Sequence, residues 1–480
     1  MRTVGRINGE RHCVAATCLA LLAACAVPAT ARALDSGAKD RTAVSLTVYN
    51  EDLALVREVR TLDLPAGESE LRFMDVPTAI RPETVSVEAS DGKIDVLEQN
   101  YEYDLLSNEK VLEKYVGREL TVYMRNDQTG EEHPVAAKLL STNGGLVFEV
   151  GNEIALGLPG RVVVPKLPEN LIARPTLVWL LRGGAGGARS VETSYLTSGI
   201  GWHADYVARL SKDEKALDLT GWVTIDNHSG AAFQNAKLKL VAGDVHQVQP
   251  PALPQMEMMA MAKVMPAGRD FAERELFEYH LYELAQPTTI RDNQQKQIEL
   301  LASANVPVTK KYRIESMSYP GIEPRRAGSE VPQNASVTLE LVNSKEKGPG
   351  RALPKGVVRV YKRDVDESLI FAGEDQIEHI PEGEAVKLEI GRAFDVVWEK
   401  HVLDVHQISD DRVEIEVEFK VRNRKKEAVT VTVLERFTGE RQLISSSLPA
   451  RQPDAFTLEF DVPVPVGAEG SVTYRAQMRQ

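Results

Sequence analysis

Residues 194–248 read SYLTSGIGWHADYVARLSKDEKALDLTGWVTIDNHSGAAFQNAKLKLVAGDVHQV. Leu217, Leu219, Val223 and Ile225 alternate with polar residues and fall on one face of a strand. Asp226-Asn227-His228-Ser229-Gly230 has the composition of a turn, and Lys237 to Val241 returns as a second strand. The pattern predicts a hairpin of a β-sandwich. Within it, Trp202-His203-Ala204-Asp205-Tyr206 places Trp202 and Tyr206 as core anchors, with His203 and Asp205 together on one side.

The same periodicity runs outward in both directions. Val44, Leu46 and Val48 alternate, and Leu62-Asp63-Leu64-Pro65-Ala66-Gly67 is a strand entering a turn. Asp91-Gly92 between two short apolar runs predicts a hairpin. Val413, Ile415, Val417, Phe419 and Val421 alternate without a break, and Val429, Val431 and Val433 alternate back. Phe456, Leu458, Phe460 and Val462 predict another strand. Strand, asparagine, polar turn and strand recur at Asn227, Asn343 and Asn423, which reads as reuse of one hairpin. Helical spacing is rare. Leu105 to Tyr115 has it, with Ser107 as its cap.

The expected fold is therefore mainly β: several immunoglobulin-like sandwiches, a small SH3- or Sm-like barrel and few short helices. The expected segments are 40–104 as an N-terminal β unit, 105–170 as the barrel, 171–330 as a central sandwich and 331–480 as a C-terminal sandwich. A Pro- and Met-rich excursion at 248–273 interrupts the central one. At 480 residues the chain has length for about three domains.

The N-terminus predicts export. Arg2, Arg6 and Arg11 precede an apolar run from Cys13 to Val27 that is too short to span a membrane. Ala31-Arg32-Ala33 is a small-x-small cleavage site that would end a signal peptide at residue 33. Leu22-Ala23-Ala24-Cys25 resembles a lipobox, which would lipidate Cys25 and anchor the chain in the outer membrane. The expected location is the periplasm or that anchor, with membrane contact only through Cys25. All three cysteines, Cys13, Cys18 and Cys25, lie in this segment, so no disulfide, thiolate metal site or cysteine nucleophile is expected in the body.

The formal charge is −13, and beyond residue 33 it is −16, from 53 Lys and Arg against 69 Asp and Glu. That balance disfavours nucleic acid as a partner. Catalytic signatures are missing: no nucleophile elbow, no Walker loop, no His-Glu-x-x-His. Arg182-Gly183-Gly184-Ala185-Gly186-Gly187 precedes a strand pattern rather than a helix, so it reads as a hairpin loop. His401, Asp404, His406, Asp410 and Asp411 form the densest polar cluster. Strand alternation puts His406 and Asp404 on one face and His401 on the other. Met256, Met258, Met259, Met261 and Met265 read first as a flexible packing segment, then as a partner-binding one, and last as copper(I) candidates by their soft thioethers. No catalytic residue or cofactor is assigned.

Several blocks resemble an uncharacterised bacterial family, the domain of unknown function DUF4139. They are VYNEDLALVREVRTLDLPAG at 48–67, VLEQNYEYDLLSNEKVLEKYVG at 96–117, SYLTSGIGWHADYVARL at 194–210 and HLYELAQPTTI at 280–290. NSKEKGPGRALPKGVVRVYKRD at 343–364 and FAGEDQIEHIPEGEAVKLEIG at 371–391 complete the set. The resemblance implies an exported, β-rich protein without an assigned activity. Some relatives named as mucoidy inhibitors carry a coiled-coil insertion, and no heptad run occurs here. The expectation is a non-enzymatic binding or scaffolding component that contacts other envelope proteins through 248–273 or the small barrel. The alternatives are an envelope-polymer hydrolase with a loop-assembled site and a metal-handling protein.

Overall fold

The computed structural model describes residues 34–479, apart from 90–93, 127–128, 169–170, 185, 244, 248–270, 277–278 and 319–330. The protein is mainly β, and the strands of the described residues form five sheets. Three hydrophobic cores hold them. The first gathers residues from Val44 to Leu388, the second residues from Tyr312 to Met478, and the third residues from Tyr115 to Phe148.

Burial follows the alternation. Leu217, Leu219, Val223 and Ile225 are all buried, as are Val413, Ile415, Val417, Phe419 and Val421. Trp202 and Tyr206 are core residues. Trp202 meets Tyr282 edge to face at 6.3 Å between ring centroids, and its Nε1 donates to Val241 O at 3.2 Å. Phe456 falls just outside its strand, Thr457–Val464, and is exposed.

Pairing departs from the expectation at the turns. Strand Ala216–Asn227 pairs with Ile200–Leu210 and Gln294–Pro307, in one sheet. Strand Phe233–Ala242 pairs with Arg41–Tyr49 and Tyr279–Leu284, in another. The turn after Asn227 is therefore an arch that carries the chain between facing layers, not a hairpin. The same holds after Asn343, which separates Gln333–Val342 from Gly356–Arg363 in another sheet. After Asn423 the strands Arg412–Asn423 and Val429–Phe437 lie in one nine-stranded sheet but do not pair with each other, so that turn is not a hairpin either.

The asparagines explain the arches. All three are fully buried and none has positive φ. Asn227 Nδ2 donates to Ala231 O and Arg291 O at 2.9 and 2.8 Å. Asn343 Nδ2 donates to Arg351 O and Pro381 O. Asn423 Nδ2 donates to Glu427 O, Val464 O and Pro465 O. Each Oδ1 accepts from a backbone N–H of its own arch. An arch at a sandwich end leaves carbonyls out of any ladder, and a buried primary amide satisfies them.

Two further turns differ. Ser86–Ala89 pairs with 191–194 while Asp95–Glu102 pairs with 176–182, so the two runs flanking Asp91-Gly92 enter different sheets. The glycine-rich 183–187 segment likewise links two sheets, and Gly187–Thr197 follows it as a strand.

Residues 105–170 do not close into a barrel. Helix Asn108–Tyr115, capped by Ser107 Oγ accepting from Lys110 N at 3.1 Å, precedes five short strands. They form an open antiparallel sheet with Glu153–Leu156 at one edge and Gly160–Val163 at the other. Closure needs two edges that meet with matched tilt and stagger. Here each edge strand has four residues, and the turn between them is held by Gly157 N to Leu146 O and Gly160 N to Leu158 O. The unit is inserted between strands 95–102 and 176–183, with Leu105 bridged to Ile172 where the chain leaves and returns.

A buried ion pair beside the second core links strands 385–409 and 429–437. Lys400 Nζ lies 2.8 Å from Glu435 Oε1 and also donates to Met317 O and Ser316 Oγ. Both side chains are inaccessible, so the pair needs this full set of partners to be tolerated.

Candidate functional site

The sheet carrying His203 presents a polar row on its outer face. Strand register sets Thr224 opposite His203 and Gln297 opposite Thr224, with Glu374 opposite Arg359. Asp205 is the hub. Its Oδ2 accepts from Thr224 Oγ1 at 2.7 Å and lies 3.2 Å from His203 Nε2, and its Oδ1 accepts from Arg359 Nη1 at 2.9 Å. Burial opposes ionisation of Asp205, but hydrogen bonds from His203, Arg359 and Thr224 outweigh it and hold the carboxyl well below its usual range. The hydrogen bond to Asp205 raises His203 above its ordinary value. The row has the residue types of a nucleophile relay without its geometry. Thr224 gives its proton to Asp205, and His203 meets that same carboxylate, so no base faces a nucleophile. It braces the sheet.

A more open feature lies where a sheet splits. Ser45 to Tyr49 pair in parallel with Lys237 to Val241. Upstream the two strands separate. Phe233 and Ala236 keep partners on the opposite edge, Ile290 and Thr288, which continue the run that pairs 239–242 with 280–283, and Asn235 takes φ +51° at the divergence. Strand 41–49 has a bulge between Arg41 and Ala43. The gap is a cleft of about 630 Å³. Its walls are 41–44 and 230–235, and it is bordered by Asp75, Val76 and Thr78 after one strand, Leu105, and Ala173 to Pro175 before another.

The cleft's walls are fixed. Thr78 N donates to Ser229 O at 2.7 Å, and Gly230, at φ +82°, passes so close to Thr78 that a Cβ would sit 2.7 Å from its methyl. Arg174 Nη1 meets Asp75 Oδ1 at 2.7 Å, and Asp75 also accepts from Ala38 N at 2.8 Å. Burial works against ionisation at Asp75, yet these bonds leave its carboxyl below the ordinary value. Arg41 is paired with the buried Glu58, and its Nη1 reaches Ala232 O at 3.3 Å. The charged groups lining the cleft are thus already paired, and the rest of its lining is uncharged, with alanines beside Thr42, Thr78, Gln234 and Asn235.

The metal candidates separate. Residues 256–265, including Met256, Met258, Met259, Met261 and Met265, and Cys25 lie outside the described residues. In the histidine cluster a bulge between Val402 and Asp404 changes the parity. His401 faces Glu418, Asp404 faces Glu416 and His406 faces Glu414, so all three point outward together. Among the described residues no group of three or more His, Cys, Asp or Glu is placed to hold a metal ion. Also among them, no helix is long and apolar enough to cross a membrane. Sequence reading did not find the cleft. Its only sequence trace is Asn235, a residue type that tolerates positive φ.

Fold and cleft together define a class: a mainly β protein of packed sheets whose ladder opens into a neutral, solvent-facing slot. The chain belongs to the family described as domain of unknown function (DUF4139), whose model matches residues 191–479. The match takes in the second core, the part of the first from Val191 onward and the 230–235 wall, while the Val44–Leu181 part of the first core, the 41–44 wall and the small inserted unit precede it. No curated protein matches the chain.

Proposed function

We propose that the protein is an exported, non-enzymatic binding or scaffolding component of a cell envelope. The N-terminal arginines, the short apolar run and Ala31-Arg32-Ala33 support export. The observation that carries binding is the cleft, a slot of ligand-accommodating size with rigid walls and no unpaired charge among its named ion pairs. A second contact surface is favoured by the small unit. On its edge strand Ile154 and Leu156 are 59% and 86% exposed. Photo-crosslinking residues placed at Thr42, Gln234 and Leu156 of the full chain, in living cells, test both. Adducts of one defined mass from Thr42 and Gln234 are expected. Adducts from Leu156 alone would move the contact to the small unit. None from any position would overturn the binding reading.

A further inference from the structure

We infer that the cleft takes an extended, uncharged polypeptide segment, which adds as a strand between 41–44 and 232–236. This rests on the binding reading above. The ladder between the two walls stops at Ser45 and Lys237, so upstream of it no ladder pair links 41–44 to 233–236, and the bond from Arg41 Nη1 to Ala232 O is the contact an entering strand would displace. Thr42, Ala43, Ala232, Gln234 and Asn235 are exposed there. A strand edge left open is a template for another chain, because its N–H and C=O groups point at whatever enters. Main-chain hydrogen bonds then supply affinity, and the pockets beside alternate side chains supply selectivity.

The walls restrict what fits. Ala38, Ala43, Ala173, Ala231 and Ala232 present only methyl groups, which leaves the slot open to the main chain of an added strand. Arg41 and Arg174 are matched by Glu58 and Asp75, so a charged segment would enter without a free counter-ion and lose its hydration. At about 3.3 Å per residue, the open part of strand 41–49 accommodates about four residues. Acyl chains have no donors or acceptors to offer either wall, and sugar hydroxyls do not repeat at the strand spacing.

The probe is a synthetic octapeptide, acetyl-Ala-Thr-Ala-Ser-Ala-Thr-Ala-Ser-amide, titrated into the full mature chain. The expected result is saturable binding that slows amide exchange at 42–44 and 232–236. N-methylation at alternate amides should weaken it about tenfold or more, the size expected for lost backbone bonds. Ala232→Trp, a change at an exposed position, should abolish binding without lowering the melting temperature. Equal binding of the N-methylated peptide, protection elsewhere, or no saturation up to about 1 mM would overturn the inference. Crosslinks from Thr42 that persist in that case would leave the binding reading standing and remove only the added strand.

Discussion

Asn227, Asn343 and Asn423 do one job at three places, and the job depends on donating as well as accepting. Asn423 alone satisfies three carbonyls and takes the Lys425 N–H. Asn423→Ala should cost about 3 kcal/mol in urea unfolding, from buried groups left unpaired. Asn423→Asp should cost at least as much, because a carboxylate cannot donate to those carbonyls. A harmless Asp variant would contradict the arch account. His203 carries a pH-dependent prediction. Its folded pKa is raised above 6.5 by Asp205. The stability it contributes is full below the unfolded value and is lost as pH rises through the folded one. The melting temperature should therefore drop slightly as pH climbs from about 6.5, modestly because His203 is half exposed. His203→Asn should flatten that slope, and an unchanged slope would discount the pair. The recurrence of asparagine was visible in the chain. Its role was not, since a turn residue and a buried amide clamp look alike until burial is known.

At the scale of elements, the inserted unit is the clearest case. Its ends meet at the Leu105–Ile172 bridge, and Leu106 N donates to Ile172 O at 2.9 Å. Strands 95–102 and 176–183 on either side are antiparallel neighbours, so the unit is in effect the loop of a long hairpin. Replacing 106–171 with a short Gly-Ser linker should leave the rest folded. Near-ultraviolet circular dichroism from Trp179, buried with Nε1 on Gln99 Oε1 at 2.9 Å, would report it. Loss of that signal would mean the small core supports its host. The bulge at Leu403 shows how local irregularity defeats a face assignment. Strict alternation separates His401 from His406, and one extra residue reunites them.

For the whole molecule, the two large cores are not beads on a string. Strand Ala385–Ser409 buries Val386 and Leu388 in the first core and Val396 and Trp398 in the second. Strand Gln333–Val342 does likewise, with Leu339 and Leu341 in one and Ala335 in the other. Glu214 adds a clamp, paired with both Lys310 and Lys362. A continuous strand transmits displacement because bending it would break ladder bonds on both sides.

What the chain determined alone was local and periodic: mainly β structure, which residues face a core, the cap at Ser107 and the family resemblance. Alternation needs only neighbours in sequence, so it survives without a fold. The tertiary structure decided which strands pair, that the asparagine turns are arches, that the small sheet stays open, and where the ladder splits. Those outcomes depend on contacts between residues far apart in the chain, such as Ser45 with Lys237 or Leu105 with Ile172. Strand pairing uses the same backbone groups whatever the side chains, so sequence leaves many pairings equally good and packing selects among them.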